Sequence, residues 1–358
     1  MIEQTQPPFT NALVIMTDRH IGNLLVSLYA LKSVQQRLKQ GQTLTCVVDF
    51  NLLSLAEYLL PEVEFIPFSL RGRSLNPLKK VSTFWRLLRT LRKKRYQVAV
   101  DLYGHGESLK LAKLSGAPFI SAFYCRPKLT SSYNWTRANS PLTPQHQLDF
   151  YRLPFYPIMG DLVADRLIAP KHDAVLQSTR AKLAQLGMQR DKPLIVIHPG
   201  AGKAYKFWPT RHWQSLIRML ERSHHQVLLI GAGADAAEVN AILSATDIDA
   251  INGYQKFSLI ESIHLGFFAK CMVGNDSGPT HLIATTPAPV VSIFGPTDAT
   301  LWAPLSPNSF IVRSEIPCAE GCAKGSCQRD VSCLEALTPE TVYEKLNSVI
   351  DITTSKSS

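Results

Sequence analysis

The stretch with the densest set of chemically capable side chains is VGNDSGPTHL, residues 273–282. Asp276 or Ser277 can cap the helix that we expect to begin there, and Gly278 lets a ligand approach the backbone closely. The free N–H groups of a first helical turn favour a phosphate group, to which His281 could donate a hydrogen bond. The stretch therefore predicts a phosphate or pyrophosphate site, with an ordinary capped helix and a packed histidine as the alternative.

A second candidate site is the loop IHPGAGKAYKFWP, residues 197–209, which follows a predicted strand. Gly200 and Gly202 make this loop glycine-rich at the carboxyl end of that strand, where backbone N–H groups often bind phosphates. Lys206 can neutralise a diphosphate at this position. The alternative is that Lys206 is a solvent-exposed loop lysine without a ligand.

The third motif is MTDRHIGNL, residues 16–24, after the first predicted strand. Asp18 and His20 can each act as a general base. Asn23 cannot, because its amide has no proton acceptor of suitable pKa. The motif is short, so it predicts a polar cluster facing a cleft rather than one particular reaction.

The net charge is 38 − 28 = +10, and the excess comes from one segment. Between Arg71 and Arg95 there are ten Lys or Arg residues and no acid. Apolar residues recur there at helical spacing, which predicts an amphipathic basic helix over 81–95 with a local anionic partner. An anionic membrane or a phosphate group fits that partner, and the alternative is a solvated face over a core stripe. Nucleic acid is not expected, since no reader motif accompanies the run.

The composition is that of a globular protein, with 45% hydrophobic and 18% charged residues. A length of 358 residues predicts about two domains. The first residues lack the basic and then apolar order of a secretory signal, and no apolar run reaches the roughly 18 residues of a membrane span. We therefore expect a cytoplasmic protein.

Short apolar runs alternate with amphipathic segments of helical length, which predicts two doubly wound α/β domains with parallel sheets. We expect a first domain over residues 1–165, a second over 166–337, and a final helix and tail over 338–358. Such a pair predicts a ligand cleft between the domains, at the carboxyl ends of the strands. The predicted strands cover residues 12–16, 44–48, 63–67, 97–102, 119–123, 194–198, 226–230, 249–251, 271–274 and 290–294.

Four of the seven cysteines stand within the segment 318–333. Four thiols this close can enclose a structural zinc or iron ion, although their spacing is wider than in common zinc sites. Reduced packing or a local disulfide is the alternative. The four residues are Cys318, Cys322, Cys327 and Cys333.

The motifs together resemble the lipopolysaccharide heptosyltransferases, glycosyltransferase family nine, which have the two-domain GT-B fold. Five motifs carry the resemblance, in the order of that family. They are Ile21-Gly22-Asn23, the stretch 101–104, the HPG loop with Lys206-x-Trp208-Pro209, the Gly-x-Asp-Ser-Gly-x-x-His block and the stretch 294–298. The resemblance implies inverting transfer of a sugar, typically from ADP-heptose, to a lipopolysaccharide inner-core acceptor, without a catalytic metal.

The resemblance also implies roles for individual residues. Lys206 is similar to the family's phosphate-binding lysine, and Asp235 is similar to an acid that contacts the nucleotide ribose. The donor-binding set is Gly200, Gly202, Lys206, Asp235, Asp276, Ser277, Gly278 and His281, with Ser277 where the family usually has Thr. We expect the N-terminal half to bind a lipid-linked anionic saccharide at the inner leaflet of the membrane, through Arg19, Gly22, Arg89, Arg92, Asp101 and His105.

One departure concerns Asn23, because the family normally has an Asp there that resembles the general base. Either Asp18 or His20 replaces that base, or Asn23 only orients the acceptor, or the chain binds sugar nucleotides without transfer. We favour Asp18 or His20. A hydrolysing sugar-nucleotide epimerase is a further alternative with the same fold.

Overall fold

The computed structural model describes residues 7–68, 77–163, 165–316, 327 and 330–355. The chain divides into two compact units, Met1–Leu167 and Ile168–Ser358. Within the described residues, no helix is both long enough and apolar enough to cross a bilayer.

The described residues of the first unit form a five-stranded parallel sheet. Its strands are β1 (Asn11–Met16), β2 (Thr43–Asp49), β3 (Glu64–Phe68), β4 (Val98–Asp101) and β5 (Phe119–Ser121). The strands lie in the order β3-β2-β1-β4-β5. Its helices are α1 (Ile21–Gln35), α2 (Leu53–Leu59), α3 (Pro77–Lys93), α4 (Gly106–Ser115), α5 (Gln147–Arg152) and α6 (Tyr156–Met159).

The described part of the second unit forms a six-stranded parallel sheet in the order β11-β10-β9-β6-β7-β8. Its strands are β6 (Leu194–His198), β7 (Gln226–Leu229), β8 (Ile251–Asn252), β9 (Ala269–Asn275), β10 (Val290–Ile293) and β11 (Ser309–Val312). Its helices are α7 (Asp173–Gln185), α8 (Thr210–Arg222), α9 (Ala236–Leu243), α10 (Leu259–Leu265), α11 (Gly278–Ile283), α12 (Ala299–Trp302), α13 (Cys333–Ala336) and α14 (Pro339–Ser355).

Both faces of the second sheet are buried, which explains the run of consecutive apolar residues in its central strand β6. Ile195 and Ile197 pack in the same cluster as Trp213 of α8 and Leu346 of α14. Val196, between them, points the other way, into a cluster that includes Leu183 of α7. Side chains alternate across a strand, so a sheet covered on two faces needs a continuous apolar run.

The prediction of two doubly wound α/β units with parallel sheets is confirmed. The sequence analysis missed β11, whose residues are mostly half-buried at the edge of the sheet and follow a proline-rich stretch. The predicted bounds of the basic helix, 81–95, are also wrong, because the helix begins at Pro77 and ends at Lys93.

Candidate functional site

Each unit brings its polar motif to the point where the strand order reverses. In the first unit, β1 and β4 are neighbours although they are not consecutive, and in the second unit the same holds for β6 and β9. The helices that follow such a pair of strands diverge, so the carboxyl ends leave a crevice in which α/β proteins bind ligands. The motifs around Asp18, Lys206 and Asp276 follow three of these four strands.

In the first unit, the carboxylate of Asp18 holds both of its polar neighbours. Its Oδ1 lies 2.6 Å from Nδ1 of His20 and accepts a hydrogen bond from the His20 backbone N–H at 2.7 Å. Its Oδ2 accepts a hydrogen bond from Nδ2 of Asn23 at 2.7 Å. The side chain of Asp18 is only 19% exposed, whereas that of His20 is 82% exposed. Asp18 therefore positions the imidazole, and the ring presents its other edge to solvent.

Asp18 and His20 line a cavity of about 600 Å³ that carries charges of both signs. Arg19 lies in it with its Nε 3.3 Å from the carboxylate of Asp49 at the end of β2. His105 also lines the cavity, just before α4. The other charged lining residues are Glu107, Lys110 and Arg126. The mixture suits a ligand that bears both hydroxyl and anionic groups.

Asp101, expected to bind the acceptor, is instead fully buried. Its carboxylate accepts hydrogen bonds from the Tyr133 hydroxyl at 2.8 Å and the Ser108 hydroxyl at 2.9 Å. The backbone N–H groups of Tyr103 and Gly104 donate to it at 3.0 Å. Burial raises the pKa of Asp101, while these four donors oppose the rise. Both oxygens of Asp101 are therefore occupied and cannot bind a saccharide acceptor. The residue instead positions the loop that leads to His105.

The remaining residues predicted to bind the acceptor lie on helices. Gly22 stands in the first turn of α1, next to Asn23. Arg89 and Arg92 are exposed on α3, and neither is among the residues that line the cavity. The Nε of Arg92 donates to the Leu114 carbonyl at 3.3 Å, which ties α3 to α4. The basic helix is thus a surface separate from the cavity, and residues 71–76 of the basic segment lie outside the described residues.

In the second unit, Lys206 and Asp276 form an ion pair. The Lys206 Nζ donates to Asp276 Oδ2 at 2.6 Å, with the two side chains 21% and 7% exposed. Asn275 fixes the same loop, because its Nδ2 donates to the Pro199 carbonyl at 2.6 Å. Two loops from β6 and β9, 70 residues apart in sequence, therefore meet at one cationic and one anionic group.

A second chain of contacts in this unit runs from Ser277 through His198 to Asp235. The Ser277 Oγ lies 3.0 Å from Nδ1 of His198, and Nε2 of His198 lies 3.3 Å from Oδ2 of Asp235. Burial acts to raise the pKa of Asp235, but hydrogen bonds from His198 and the Ala232 N–H leave it below the ordinary value. A Cβ at position 200 would lie 2.0 Å from Asp235 Oδ1, so a larger residue than glycine there would displace this carboxylate.

The expected capping of α11 does not occur in the predicted form. Ser277 is the N-cap residue, but its hydroxyl contacts His198 and makes no side-chain cap hydrogen bond. Gly278 begins this helix, and His281 within it is only 6% exposed. Gly202 is exposed, and a Cβ at that position would meet nothing within 4 Å, so packing does not require a glycine there.

The loop motif gives His198 no predicted role, but in the structure it connects two predicted donor residues, Ser277 and Asp235. The signal available in the sequence was its place as the last residue of a central strand. A polar side chain at such a position lies at the ligand-binding edge of a parallel sheet.

Two members of the cysteine set, Cys318 and Cys322, lie outside the described residues. Cys327 is exposed, and Cys333 opens α13 in a half-buried position. Among the described residues, no group of three or more His, Cys, Asp or Glu could hold a metal ion. A metal at the four cysteines stays a prediction.

Comparison with known proteins relates both units to one family. The model of glycosyltransferase family 9 (heptosyltransferase) matches residues 84–331. A lipooligosaccharide heptosyltransferase 2 from Haemophilus influenzae is 26% identical over 358 residues, which cover 94% of this chain and 99% of that protein.

Two solved structures are similar over nearly the whole length. A family 9 glycosyl transferase from Veillonella parvula has a TM-score of 0.82 at 17% identity, covering 96% of this chain and 97% of that one. The E. coli ADP-heptose lps heptosyltransferase II has a TM-score of 0.75 at 24% identity, covering 96% and 99%. At these identities the likeness shows a common fold.

Proposed function

The chain belongs to glycosyltransferase family 9, the heptosyltransferase family, and we propose that it transfers a heptose from ADP-heptose to the inner core of lipopolysaccharide. The transfer inverts the anomeric centre and uses no catalytic metal. The second unit binds the nucleotide-sugar donor, and the first unit binds the saccharide acceptor. The similar E. coli protein is described as an ADP-heptose lipopolysaccharide heptosyltransferase, which supports this choice of donor and acceptor.

The convergence of Lys206, Asp276 and Ser277 at one end of the second sheet is the observation that carries the donor assignment. The Lys206 ammonium lies 2.6 Å from the Asp276 carboxylate, so it offsets a negative charge that would repel a diphosphate. When the bond between the sugar and the diphosphate breaks, negative charge develops on the leaving oxygen. A preorganised cation beside that oxygen stabilises the transition state more than the ground state.

The acceptor hydroxyl must lose a proton as it attacks the anomeric carbon, and we assign that proton to His20. Both oxygens of Asp18 are already occupied by His20 and Asn23. If Nδ1 of His20 carries the proton shared with Asp18, its Nε2 has a free lone pair in the cavity. Asn23 then stands where the family has an acid, but its role differs. It holds Asp18 in place and does not act as a base.

We also propose that α3 binds the inner leaflet that carries the lipid-linked acceptor, at the cytoplasmic face of the membrane. The exposed face of this helix bears Arg86, Arg89 and Lys93, together with Trp85, whose exposure is 60%. Indole rings favour the interface between lipid and water, and each basic side chain near an anionic surface adds about 1 kcal/mol.

The function is tested by incubating the protein with ADP-heptose and a lipopolysaccharide whose inner core lacks the transferred heptose. We expect release of ADP and a gain of one heptose, measured by mass spectrometry, and thermal stabilisation by ADP above UDP, GDP and CMP. Stabilisation by ADP without release of ADP from the donor would favour a binding protein without transfer. Preference for another nucleotide would contradict the donor.

A matched pair of lysines tests the site itself. Lys206→Met should lower kcat/KM by about 100-fold or more, as for other lost transition-state contacts. Lys203→Met, in the same loop and exposed, should leave kcat/KM nearly unchanged. Equal losses in the two variants would contradict the role of Lys206.

A further inference from the structure

His198 is a buried imidazole with a polar partner on each ring nitrogen. It is 4% exposed at the end of β6, with Ser277 at 3.0 Å from Nδ1 and Asp235 at 3.3 Å from Nε2. Two glycines enclose it, because a Cβ on Gly200 would lie 3.1 Å from the His198 Cε1, and one on Gly274 would lie 3.4 Å from its Cβ. The ring therefore has little room to change its partners.

The partners determine where the protons lie. An ionised Asp235 only accepts hydrogen bonds, so Nε2 of His198 must carry a proton. In a neutral imidazole the other nitrogen, Nδ1, is then an acceptor, and Ser277 must donate its hydroxyl proton to it. In that state the Ser277 hydroxyl has no proton left for a phosphate oxygen.

A second proton on His198 reverses the contact with Ser277. Nδ1 becomes a donor, the Ser277 oxygen accepts from it, and the hydroxyl proton is free to point at a ligand. A diphosphate beside Ser277 favours the protonated form of His198 for two reasons. Its oxygens need hydrogen-bond donors, and its negative charge stabilises the imidazolium.

The charges on the surrounding elements allow the extra proton. Asp235 contributes a carboxylate from the turn after β7, and the Lys206–Asp276 pair contributes one charge of each sign. His281 on α11, 6% exposed, is a further titratable group of this unit. Asp235, Lys206 and Asp276 together carry a net charge of minus one, and Asp235 contacts the ring.

We propose that His198 is a positioning residue that takes up a proton when the nucleoside diphosphate of the donor binds, and thereby turns Ser277 into a hydrogen-bond donor toward the phosphate. This inference rests on the proposed donor site. Binding and protonation are reciprocal, so affinity for the diphosphate falls as the pH rises, by at most about tenfold per pH unit for one proton.

Calorimetric titration of the full-length protein with ADP tests this directly. At about pH 8 the ADP phosphates are fully ionised, so proton uptake by the ligand does not contribute. Titrations in buffers of different ionisation enthalpy count the protons taken up by the complex. We expect a clear uptake, approaching one proton, for the wild type.

Three variants assign the proton. His198→Gln keeps one donor and one acceptor but cannot be protonated, so uptake should vanish and Kd for ADP should rise by about tenfold, the loss of one charge-assisted hydrogen bond. Ser277→Ala should remove most of the pH dependence, and it provides the test if the Gln variant does not fold. His224→Asn changes an exposed histidine whose φ of 62° suits Asn, and it should behave as the wild type.

The outcomes separate this inference from the proposed function. ADP binding without proton uptake would overturn the role of His198 and leave the donor site standing. Uptake that persists in His198→Gln would overturn it as well, because another group would then take the proton. No binding of ADP by the wild type would overturn both the donor site and the inference.

Discussion

The departure of Asn23 from its family changes which residue can accept a proton. An amide at this position cannot act as a base, but it can donate to Asp18 at 2.7 Å. Asp18 in turn fixes Nδ1 of His20 at 2.6 Å. In the proposed mechanism these three residues together replace one general-base carboxylate, with the exposed imidazole as the group that meets the substrate.

Replacing His20 tests this arrangement. For His20→Ala we expect kcat to fall by about 100- to 10,000-fold, the usual contribution of a general base, with the KM for the donor unchanged. Steady-state kinetics of heptose transfer measure both constants. His105→Ala, which alters the same cavity, should raise the KM for the acceptor and lower kcat much less. Full kcat in His20→Ala would show that another group takes the proton.

Asn23→Asp tests whether position 23 holds Asp18 in place or can act as the general base. A second carboxylate at hydrogen-bond distance from Asp18 would force the two to share a proton and would disturb the hold on His20. We expect transfer slower than in the wild type. Faster transfer would instead indicate that the family's base position still operates in this protein.

At the scale of secondary-structure elements, the turn between β4 and α4 is tightly constrained. Gly104 has φ of 60°, and a Cβ on it would lie 1.7 Å from the Tyr124 carbonyl oxygen. The turn brings His105 to the cavity only if the backbone passes this close to the segment after β5.

The turn gives a stability prediction with a matched control. Gly104→Ala should lower the free energy of unfolding by about 3 kcal/mol or more, since it combines a positive φ with a backbone overlap. Gly106→Ala, two residues on, has no positive φ and nothing within 4 Å of a new Cβ, so we expect less than about 1 kcal/mol. Chemical denaturation measures both, and similar losses would contradict the account.

The basic helix α3 belongs to the same scale. We expect that Arg86→Gln, Arg89→Gln and Lys93→Gln together abolish sedimentation with phosphatidylglycerol vesicles and leave the weak binding to phosphatidylcholine unchanged. Lys94 is kept because it pairs with Glu64 and donates to Thr45 at 3.2 Å within the fold. Arg190→Gln with Lys192→Gln, two exposed basic residues of the second unit, is the control. Undiminished vesicle binding by the triple variant would contradict the membrane role.

At the scale of the whole molecule, each unit has its own sheet, core and polar cluster. The proposed donor-binding residues lie in the second unit and the proposed base lies in the first. We therefore expect ADP to slow amide hydrogen exchange around the ends of β6 and β9, and to leave the segment around Asp18 at its original rate. Mass spectrometry of peptides measures this, with AMP as a control ligand that lacks the second phosphate. Protection centred on the first unit would contradict the division of roles.

The sequence alone was sufficient for the architecture and for most of the residues at the two clusters. Alternation of apolar runs with amphipathic segments predicts strands and helices, and doubly wound topology brings the residues after the central strands to one edge. That is why Asp18, Lys206 and Asp276 could be selected from local motifs. The short edge strand β11 was missed because half-buried residues give a weak pattern.

The tertiary structure decided what each of these residues does. Asp101 is the last residue of a central strand, where a ligand-binding acid could stand, yet four donors saturate it in the core. His198 lies between Ser277 and Asp235, which are 79 and 37 residues away along the chain. Sequence spacing determines which element a side chain stands on. The hydrogen-bond partners of His198 and the Tyr133 donor to Asp101 come from remote segments, so only the folded chain shows which side chains these residues contact.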